Sequence, residues 1–316
     1  MSHLTSYITD DGEQFNRDVT VSIGMPVYND EKFLHSALTS ILAQSFKDFE
    51  LIISDDKSTD GSSNICKEFA ASDSRITYIR QERNLGISRN MKFLLENAKG
   101  KYFMWAANDD IWATDFMKLH VKCLKCNIDS VVAFGTYALI DEKDNLISHP
   151  INIDFSGSNA FNRLTSFIKK TNDAFGYGLF VKEKIQGIRF PVWLGINSKC
   201  AYDNIYPALC YSLALGNYSH VASKEPLWFN RCKSLENINH QIPFGNYFLL
   251  AYFSYFLRKL NLVIESTVSI YRANRQIHLV IKIFPRLLFS WFLIPVFYNI
   301  HKKYSSYIEK GASAFI

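Results

Sequence analysis

Short apolar runs alternate with amphipathic stretches along the first third of the chain. Four of these runs have the length and the β-branched, aromatic composition of buried strands. They cover residues 19–25, 49–54, 75–80 and 101–107. Between them, apolar positions recur every three or four residues, which predicts helices. The predicted helices contain residues 33–42, 62–71 and 87–98. Strands and helices that alternate with short connections are typical of a parallel sheet covered by helices, so we predict an α/β fold with a mostly parallel central sheet.

The pattern is less regular in the second half of the chain. Two apolar runs within 131–141 predict a strand pair with a turn at Asp144. The remaining predicted elements are helices at 114–126, 158–170 and 198–215 and strands at 175–181, 220–222 and 226–231. Two later stretches, 244–257 and 287–300, hold 14 residues each without a charge. A helix of that length reaches about 21 Å, less than the ~30 Å hydrocarbon core, so we do not predict a membrane-spanning helix.

Charge is distributed unevenly along the chain. The net charge is +5, but residues 244–316 contain nine Lys/Arg and two acidic residues, so this region carries +7 and the rest −2. We predict a lead-in at 1–18, a sheet-containing domain at 19–243 and a basic, aromatic helical region at 244–316. Helices of this composition suit the surface of an anionic membrane. The alternative is that they pack on the sheet domain and turn their charges to water.

Composition narrows the class of protein. Apolar residues make up 48% and charged residues 21% of the chain, which excludes a disordered or collagen-like protein. The six cysteines are widely spread, and the first residues lack the basic and apolar regions of a secretory signal. We therefore expect a cytoplasmic protein with reduced thiols.

Polar side chains follow three of the four predicted strands. They are Tyr28 and Asn29, then Asp55 and Asp56, then Asn108, Asp109 and Asp110. In parallel sheets, ligands bind beyond the carboxyl ends of the strands. Two carboxylate pairs at such an edge suit Mg²⁺ or Mn²⁺, with a substrate phosphate completing the coordination. The alternative is that these acids are ordinary solvated turn residues.

Four segments, in this order and spacing, resemble the family 2 glycosyltransferases. They are PVYND at 26–30, QSFKDFELIISDDKSTDGS at 44–62, RNLGISRN at 83–90 and GKYFMWAANDD at 100–110. The family consists of inverting enzymes that use nucleotide-activated sugars. The resemblance implies the GT-A nucleotide-sugar-binding fold over 19–243, with a helical extension after it. It also implies a nucleotide-sugar donor, for which we favour a UDP-sugar.

The resemblance assigns roles to individual residues. Those placed around the nucleotide are Pro26, Tyr28, Asn29, Asp56, Asn84, Arg89 and Asp109. Among them, Asp56 resembles the carboxylate that accepts a hydrogen bond from the uracil or thymine ring. The run from Asn108 to Asp110 stands where the family has its DxD motif, with Asn108 in place of the first acid. On this basis we assign the metal, Mn²⁺ or Mg²⁺, to Asp110 and contact with the ribose or an indirect role to Asp109.

Two further assignments come from the second half of the chain. An inverting transfer needs a general base to take the proton of the acceptor hydroxyl. Residues 201–221 resemble the family segment that carries this acid, and Asp203 takes its position, preceded by Tyr202 where the family has Glu. The alternative is that Asp203 caps its helix. Residues 229–236 resemble the family's closing segment, in which Arg231 would bind the diphosphate. The alternative for Arg231 is an exposed, structural role.

Together these features predict a peripheral enzyme on the inner face of the cell membrane, with no nucleic-acid partner. Its expected acceptor is a hydroxyl of a glycan, lipid-linked as in the assembly of surface polysaccharide or lipopolysaccharide. The alternative is a non-catalytic nucleotide-binding or membrane-docking protein that retains the fold. The departures at Asn108 and Tyr202 favour that alternative, whereas the acids at Asp56, Asp109, Asp110 and Asp203 oppose it.

Overall fold

The computed structural model describes residues 19–170, 172–190, 206–232 and 248–293. Its strands are β1 (Val21–Val27), β2 (Phe49–Asp55), β3 (Ile76–Arg80), β4 (Tyr102–Trp105), β5 (Ile111–Trp112), β6 (Ser130–Gly135), β7 (Tyr137–Ile140), β8 (Leu179–Val181), β9 (Asn217–Val221) and β10 (Trp228–Arg231). Its helices are α1 (Glu31–Leu42), α2 (Ser62–Ser72), α3 (Ile87–Asn97), α4 (Phe116–Cys126), α5 (Ala160–Lys170), α6 (Lys182–Ile185), α7 (Tyr206–Leu215), α8 (Phe248–Asn274) and α9 (Ile277–Leu287).

The main sheet has seven strands in the order β3-β2-β1-β4-β8-β6-β9. Strands β1 to β4 are parallel, and β8 alone in this sheet runs antiparallel to its neighbours β4 and β6. Helices connect the parallel strands, so nearly all side chains of β1, β2 and β4 are buried. Burial on both faces explains why these strands are continuous apolar runs and not alternating ones. The predicted α/β architecture with a mostly parallel sheet is confirmed.

Strand β1 extends two residues beyond the predicted end at residue 25 and includes Pro26. It pairs with β2 through Val27, which lies opposite Asp55. Proline is tolerated here because it stands at the last but one residue of the strand, where few ladder bonds remain to be made. The amide of Asp56 then donates to the carbonyl of Val27 (2.8 Å), so both strands end at one edge.

Two strand predictions in the second half are wrong. Residues 131–141 do not pair with each other, because β6 joins the main sheet whereas β7 belongs to a second sheet of order β5-β10-β7. Residues 175–181 are divided between a 3-10 turn at Ala174–Tyr177 and β8. In both cases the partner strand comes from a distant part of the chain, which local periodicity does not reveal.

The described part of the basic region packs on the sheet domain. Helix α8 lies along α7, and α9 packs against α5 and α8. Helix α7 is apolar nearly all round, and its buried residues are Pro207, Ala208, Leu209, Cys210, Ser212, Leu213 and Ala214. Helix α8 continues to Asn274, well past the end expected from the uncharged stretch at 244–257. Among the described residues, none of the helices combines the length and the apolar character needed to cross a membrane.

Candidate active site

The candidate site lies at the edge where β1, β2 and β4 end. The pairing of Val27 with Asp55 and the bond from the Ala106 amide to the Gly24 carbonyl (2.9 Å) align the three strand ends. The loops that leave this edge carry the polar residues identified in the sequence. The structure therefore brings residues 28–29, 55–56 and 108–110 to one side of the sheet, as predicted from the topology.

The loop after β1 is held by its own polar groups. Asn29 adopts a positive φ of 51°, and its side-chain oxygen accepts a hydrogen bond from the Thr59 amide (2.7 Å). Its own amide donates to the Ser58 hydroxyl (3.1 Å). Helix α1 begins just beyond, with no side-chain capping bond from Asp30. Asn29 thus fixes the loop, and the neighbouring Tyr28 is exposed at the edge of the site.

Asp55 stabilises the loop after β2 and its contact with β3. Its carboxylate accepts hydrogen bonds from the Ser58 amide (2.7 Å) and the Tyr78 hydroxyl (2.8 Å), and it is fully buried. Burial raises the pKa of Asp55, but the hydrogen bonds outweigh this effect and leave the pKa below its usual value. Asp55 is therefore an anchor of the loop and not a ligand-facing acid.

Asp56 joins the second strand to the turn before α3. Its two oxygens accept hydrogen bonds from the amides of Leu85 (2.5 Å) and Gly86 (2.9 Å). Burial raises the pKa of Asp56, and the two amide bonds offset part of that rise. A carboxylate has about four lone-pair positions, so two remain for a ligand such as the N–H of a nucleobase. This contact unites two regions that the sequence assigned to the nucleotide, since Asn84 also accepts from the Gly86 amide (3.0 Å).

The first turn of α3 adds two residues that the sequence reasoning missed. The side chain of Arg89, assigned to the nucleotide, is exposed. On either side of it, the Ser88 hydroxyl and the side-chain oxygen of Asn90 are buried without a hydrogen-bond partner in the described structure. The amide group of Asn90 donates to the Ser54 carbonyl (3.0 Å). Buried polar atoms are normally paired, so these two atoms leave hydrogen-bonding capacity at the start of α3.

Asp110 is turned into the protein and is only 1% exposed. Its carboxylate accepts hydrogen bonds from the Trp228 indole N–H (3.0 Å) and the Arg231 amide (2.8 Å), and lies 3.5 Å from the amide nitrogen of Asn230. Burial, followed by the charge of Asp109, raises the pKa of Asp110 well above its usual value. These contacts favour a structural role for Asp110 over the metal role predicted from the sequence. No local signal indicates this, because the donors lie about 120 residues away.

Arg231 connects three parts of the site. Its Nε donates to the carbonyl of Asp109 (2.7 Å), and its Nη1 donates to the carbonyl of Asp141 (2.9 Å) and pairs with Asp144 (2.5 Å). The guanidinium lies over the ring of Phe33, 4.5 Å from its centroid, and the side chain is 1% exposed. These contacts use Nε and Nη1, whereas Nη2 is buried without a hydrogen-bond partner in the described structure. The contacts favour a structural role for Arg231, with the side chain buried and not exposed, and its diphosphate role stays a prediction.

Asp109 is the acid of the pair that remains half-buried at the edge. Within the described residues, no group of three His, Cys, Asp or Glu side chains is arranged to hold a metal ion. Mg²⁺ and related ions, however, commonly use one or two carboxylates and complete their coordination with water and substrate phosphates. The residues present fit such a partial site, with Asp109 as the carboxylate. Asp203, the predicted base, lies outside the described residues.

Comparison with known proteins identifies the family. The sequence model described as glycosyl transferase family 2 matches residues 22–186, just over half of the chain. The chain belongs to this family. It is 36% identical over 130 residues to the glycosyltransferase GlyA of Streptococcus pneumoniae. The aligned region covers 41% of this chain and 18% of GlyA. It is 30% identical over 177 residues to an uncharacterized glycosyltransferase of Haemophilus influenzae. This aligned region covers 54% of this chain and 66% of that protein. The chain thus spans less than two thirds of the length of these relatives.

Solved structures support the fold of this family 2 chain. Residues 1–349 of Staphylococcus aureus TarS in complex with UDP-GlcNAc superpose with a TM-score of 0.61 and 16% identity, covering 86% of this chain and 73% of that one. The complex of the same TarS fragment with UDP gives a TM-score of 0.58 and 16% identity, covering 80% and 66%. The GT-A fold predicted from the sequence is confirmed.

Proposed function

We propose that this family 2 chain is an inverting glycosyltransferase that moves a sugar from a nucleotide-sugar to a hydroxyl of a glycan. The observation that carries the proposal is the position of Asp56. It is a buried carboxylate at the end of a central parallel strand, bonded to the turn that opens α3. This arrangement offers an acceptor for a base N–H at the edge where the exposed Tyr28 follows the neighbouring strand β1.

The donor that we favour is a UDP-sugar. TarS, which shares the fold, has been solved with UDP and with UDP-GlcNAc. The N3–H of uracil donates a hydrogen bond, as Asp56 requires, and thymine carries the same group. Guanine also presents N–H donors, so a GDP-sugar belongs in any donor test.

The metal of the proposed reaction would be held by Asp109. This assignment moves the metal from Asp110 to its neighbour, because Asp110 is already bonded to Trp228 and Arg231. When bound, Mn²⁺ or Mg²⁺ supplies positive charge that stabilises a diphosphate leaving group. The contribution of the chain itself is to fix the main chain at Asp109, whose carbonyl is held by Arg231.

The base that we propose is Asp203, on the family resemblance alone. It would take the proton of the acceptor hydroxyl as that oxygen attacks the anomeric carbon. The bond from the anomeric carbon to the diphosphate oxygen breaks on the opposite face, which inverts the configuration. The acceptor that we propose is a lipid-linked glycan at the inner face of the membrane.

The test is release of nucleoside diphosphate by the purified full-length chain. UDP-, GDP- and dTDP-sugars are compared with and without Mn²⁺, and each is also tested with a lipid-linked glycan extract as acceptor. We expect release from one class of donor, dependent on the metal. The proposal is wrong if no donor is either bound or consumed under any of these conditions.

Matched variants test the metal assignment. Asp109→Asn should weaken binding of the metal. Turnover should then fall by about 100-fold or more, because the metal no longer stabilises the negative charge of the departing diphosphate. Asp129→Asn, an exposed acid after α4, should behave as the wild type. Activity of Asp109→Asn at the wild-type level would place the metal elsewhere.

A further inference from the structure

Exposed apolar side chains are concentrated on α8, α9 and the π-helical turn at Leu288–Leu293 that follows α9. Seven of the twelve large hydrophobic side chains that are exposed in the described structure lie between residues 264 and 289. Single exposed hydrophobic residues are normal on protein surfaces, whereas a concentration of them marks an interaction site. This region is therefore the best candidate for a docking surface.

On α8 the exposed apolar residues form one stripe. Ile264, Val268 and Tyr271 follow each other at the i, i+4, i+7 spacing that places side chains on one face of a helix. A different face of the same helix is buried, as shown by Val263 and Ile270. The stripe is thus not required for packing α8 onto the protein.

Helix α9 repeats this arrangement. Its side chains Leu279, Ile283 and Leu287 are buried against the protein. Its other apolar stripe, 277, 281 and 284, has the same i, i+4, i+7 spacing. Ile277 and Ile281 in that stripe are 68% and 66% exposed. A surface helix normally needs only one apolar face, so the second face calls for a partner.

The charge near these stripes is almost entirely positive. The basic residues of 260–293 are Arg272, Arg275, Lys282 and Arg286, and all four are exposed. Glu265 is the one acidic residue in that stretch of sequence. Exposed apolar stripes and exposed basic residues on the same helices match a partner that is both apolar and anionic.

We infer that the C-terminal face, defined by Ile264, Val268, Tyr271, Ile277, Ile281 and Phe284, docks on an anionic lipid bilayer. Aliphatic and aromatic side chains enter the boundary between headgroups and acyl chains, while nearby Lys and Arg pair with anionic headgroups. The inference does not depend on the donor or the metal. It adds to the proposed function a surface that binds the chain to the membrane in which the proposed acceptor lies.

The test is cosedimentation of the full-length chain with vesicles. Vesicles of phosphatidylcholine with phosphatidylglycerol are compared with vesicles of phosphatidylcholine alone, at low salt and at roughly 0.5 M salt, where the charges are screened. Ile281→Glu should weaken binding about tenfold or more, because it places a charge in the apolar stripe. Ile128→Glu is the matched control, since Ile128 is 77% exposed but lies between α4 and β6.

The charge contribution is tested in the same assay. Lys282→Glu should weaken binding to anionic vesicles about tenfold or more. Lys125→Glu, an exposed lysine on α4, should leave it unchanged. All variants are first compared by thermal unfolding, so that loss of fold is not counted as loss of binding.

Three outcomes overturn the inference. The wild-type chain stays in the supernatant with both kinds of vesicle, or Ile281→Glu binds as well as the wild type. In the third, the wild type is a dimer that does not bind vesicles and Ile281→Glu is a monomer. That result would show that the C-terminal face binds a second copy of the chain. Sedimentation tests membrane binding and nucleotide release tests the proposed function. Because the two are measured separately, a negative result in one does not affect the interpretation of the other.

Discussion

At the scale of single residues, the neighbouring acids Asp109 and Asp110 have opposite surroundings. Asp109 is half-buried at the strand edge, whereas the carboxylate of Asp110 is enclosed by donors from β10. The first environment places a side chain at the edge where the candidate site lies. A side chain in the second fixes the start of β5 against β10.

We expect Asp110→Asn to destabilise the protein. The new amide would direct N–H groups at Trp228 or at the amide of Arg231, and leaving buried donors unpaired costs about 1–3 kcal/mol each. Urea unfolding measures the loss, with Asp129→Asn as the surface control. A variant that keeps full stability but loses all metal-dependent turnover would restore the metal role of Asp110.

A second residue-scale prediction concerns nucleotide binding. Asp56→Asn keeps the shape of the side chain but removes its charge and one acceptor oxygen. Hydrogen bonds to a charged group contribute roughly 1.5–3 kcal/mol, so affinity for the nucleoside diphosphate should fall about tenfold or more. Calorimetric titration measures this effect. Unchanged affinity in Asp56→Asn would remove the base contact from the proposed site.

His120 on α4 makes stability depend on pH. Its Nδ1 donates to the Phe116 carbonyl (2.6 Å), while its Nε2 is buried without a partner in the described structure. Burial lowers the pKa of His120 to about 4; the bond to Phe116 opposes this shift and the nearby His220 adds to it. The unfolded chain takes up this proton near pH 6.5, so the folded state loses stability as the pH falls from about 6.5 to about 4.

The size of this effect is on the order of 3 kcal/mol in the free energy of unfolding. Urea unfolding at several pH values measures it, and His120→Phe should flatten the dependence over that range. His35→Gln, on the exposed side of α1, should not. The same pH dependence in wild type and His120→Phe would show that other groups cause it.

At the scale of elements, the turn at 84–86 decides whether Asp56 is correctly bonded. Gly86 has φ 77° and ψ 156°, a conformation that is essentially limited to glycine. Gly86→Ala should therefore cost on the order of 1–3 kcal/mol or displace the amide from Asp56. Leu85→Ala keeps both amides and serves as the control. Nucleotide titration and urea unfolding together distinguish the variants, and wild-type behaviour of Gly86→Ala in both would refute the role of this turn.

Elements could be predicted where their evidence is local. Strands β1 to β4 lie within two residues of the predicted ends, because each is a short apolar run bounded by polar turns. The contact of Asp56 with residues 85–86 joins two segments that the family resemblance assigned to the nucleotide, and those roles stay predictions. The pairing of β7 with β10 and the inward turn of Asp110 depend on residues about 90 to 120 positions away. No period or spacing in the sequence carries that information.

At the scale of the whole molecule, the predicted boundary at 243/244 divides elements that are packed together. Helix α7 belongs to the predicted sheet domain, yet it lies between that domain and α8. Removing α8 and α9 would expose the apolar surface of α7. We therefore expect residues on both sides of this boundary to unfold as one cooperative unit.

One buried and one exposed position on α8 test this cooperativity. Ile270 is buried and Val268 is exposed on the same helix. Truncation of a buried isoleucine to alanine costs about 2–5 kcal/mol, whereas a surface change usually stays within about 0.5 kcal/mol. If α8 and the sheet domain unfold together, Ile270→Ala should shift the whole urea transition, followed by circular dichroism and tryptophan fluorescence, and Val268→Ala should not. A separate early transition in Ile270→Ala, with the sheet-domain transition unmoved, would instead establish 19–243 and 244–316 as independent domains.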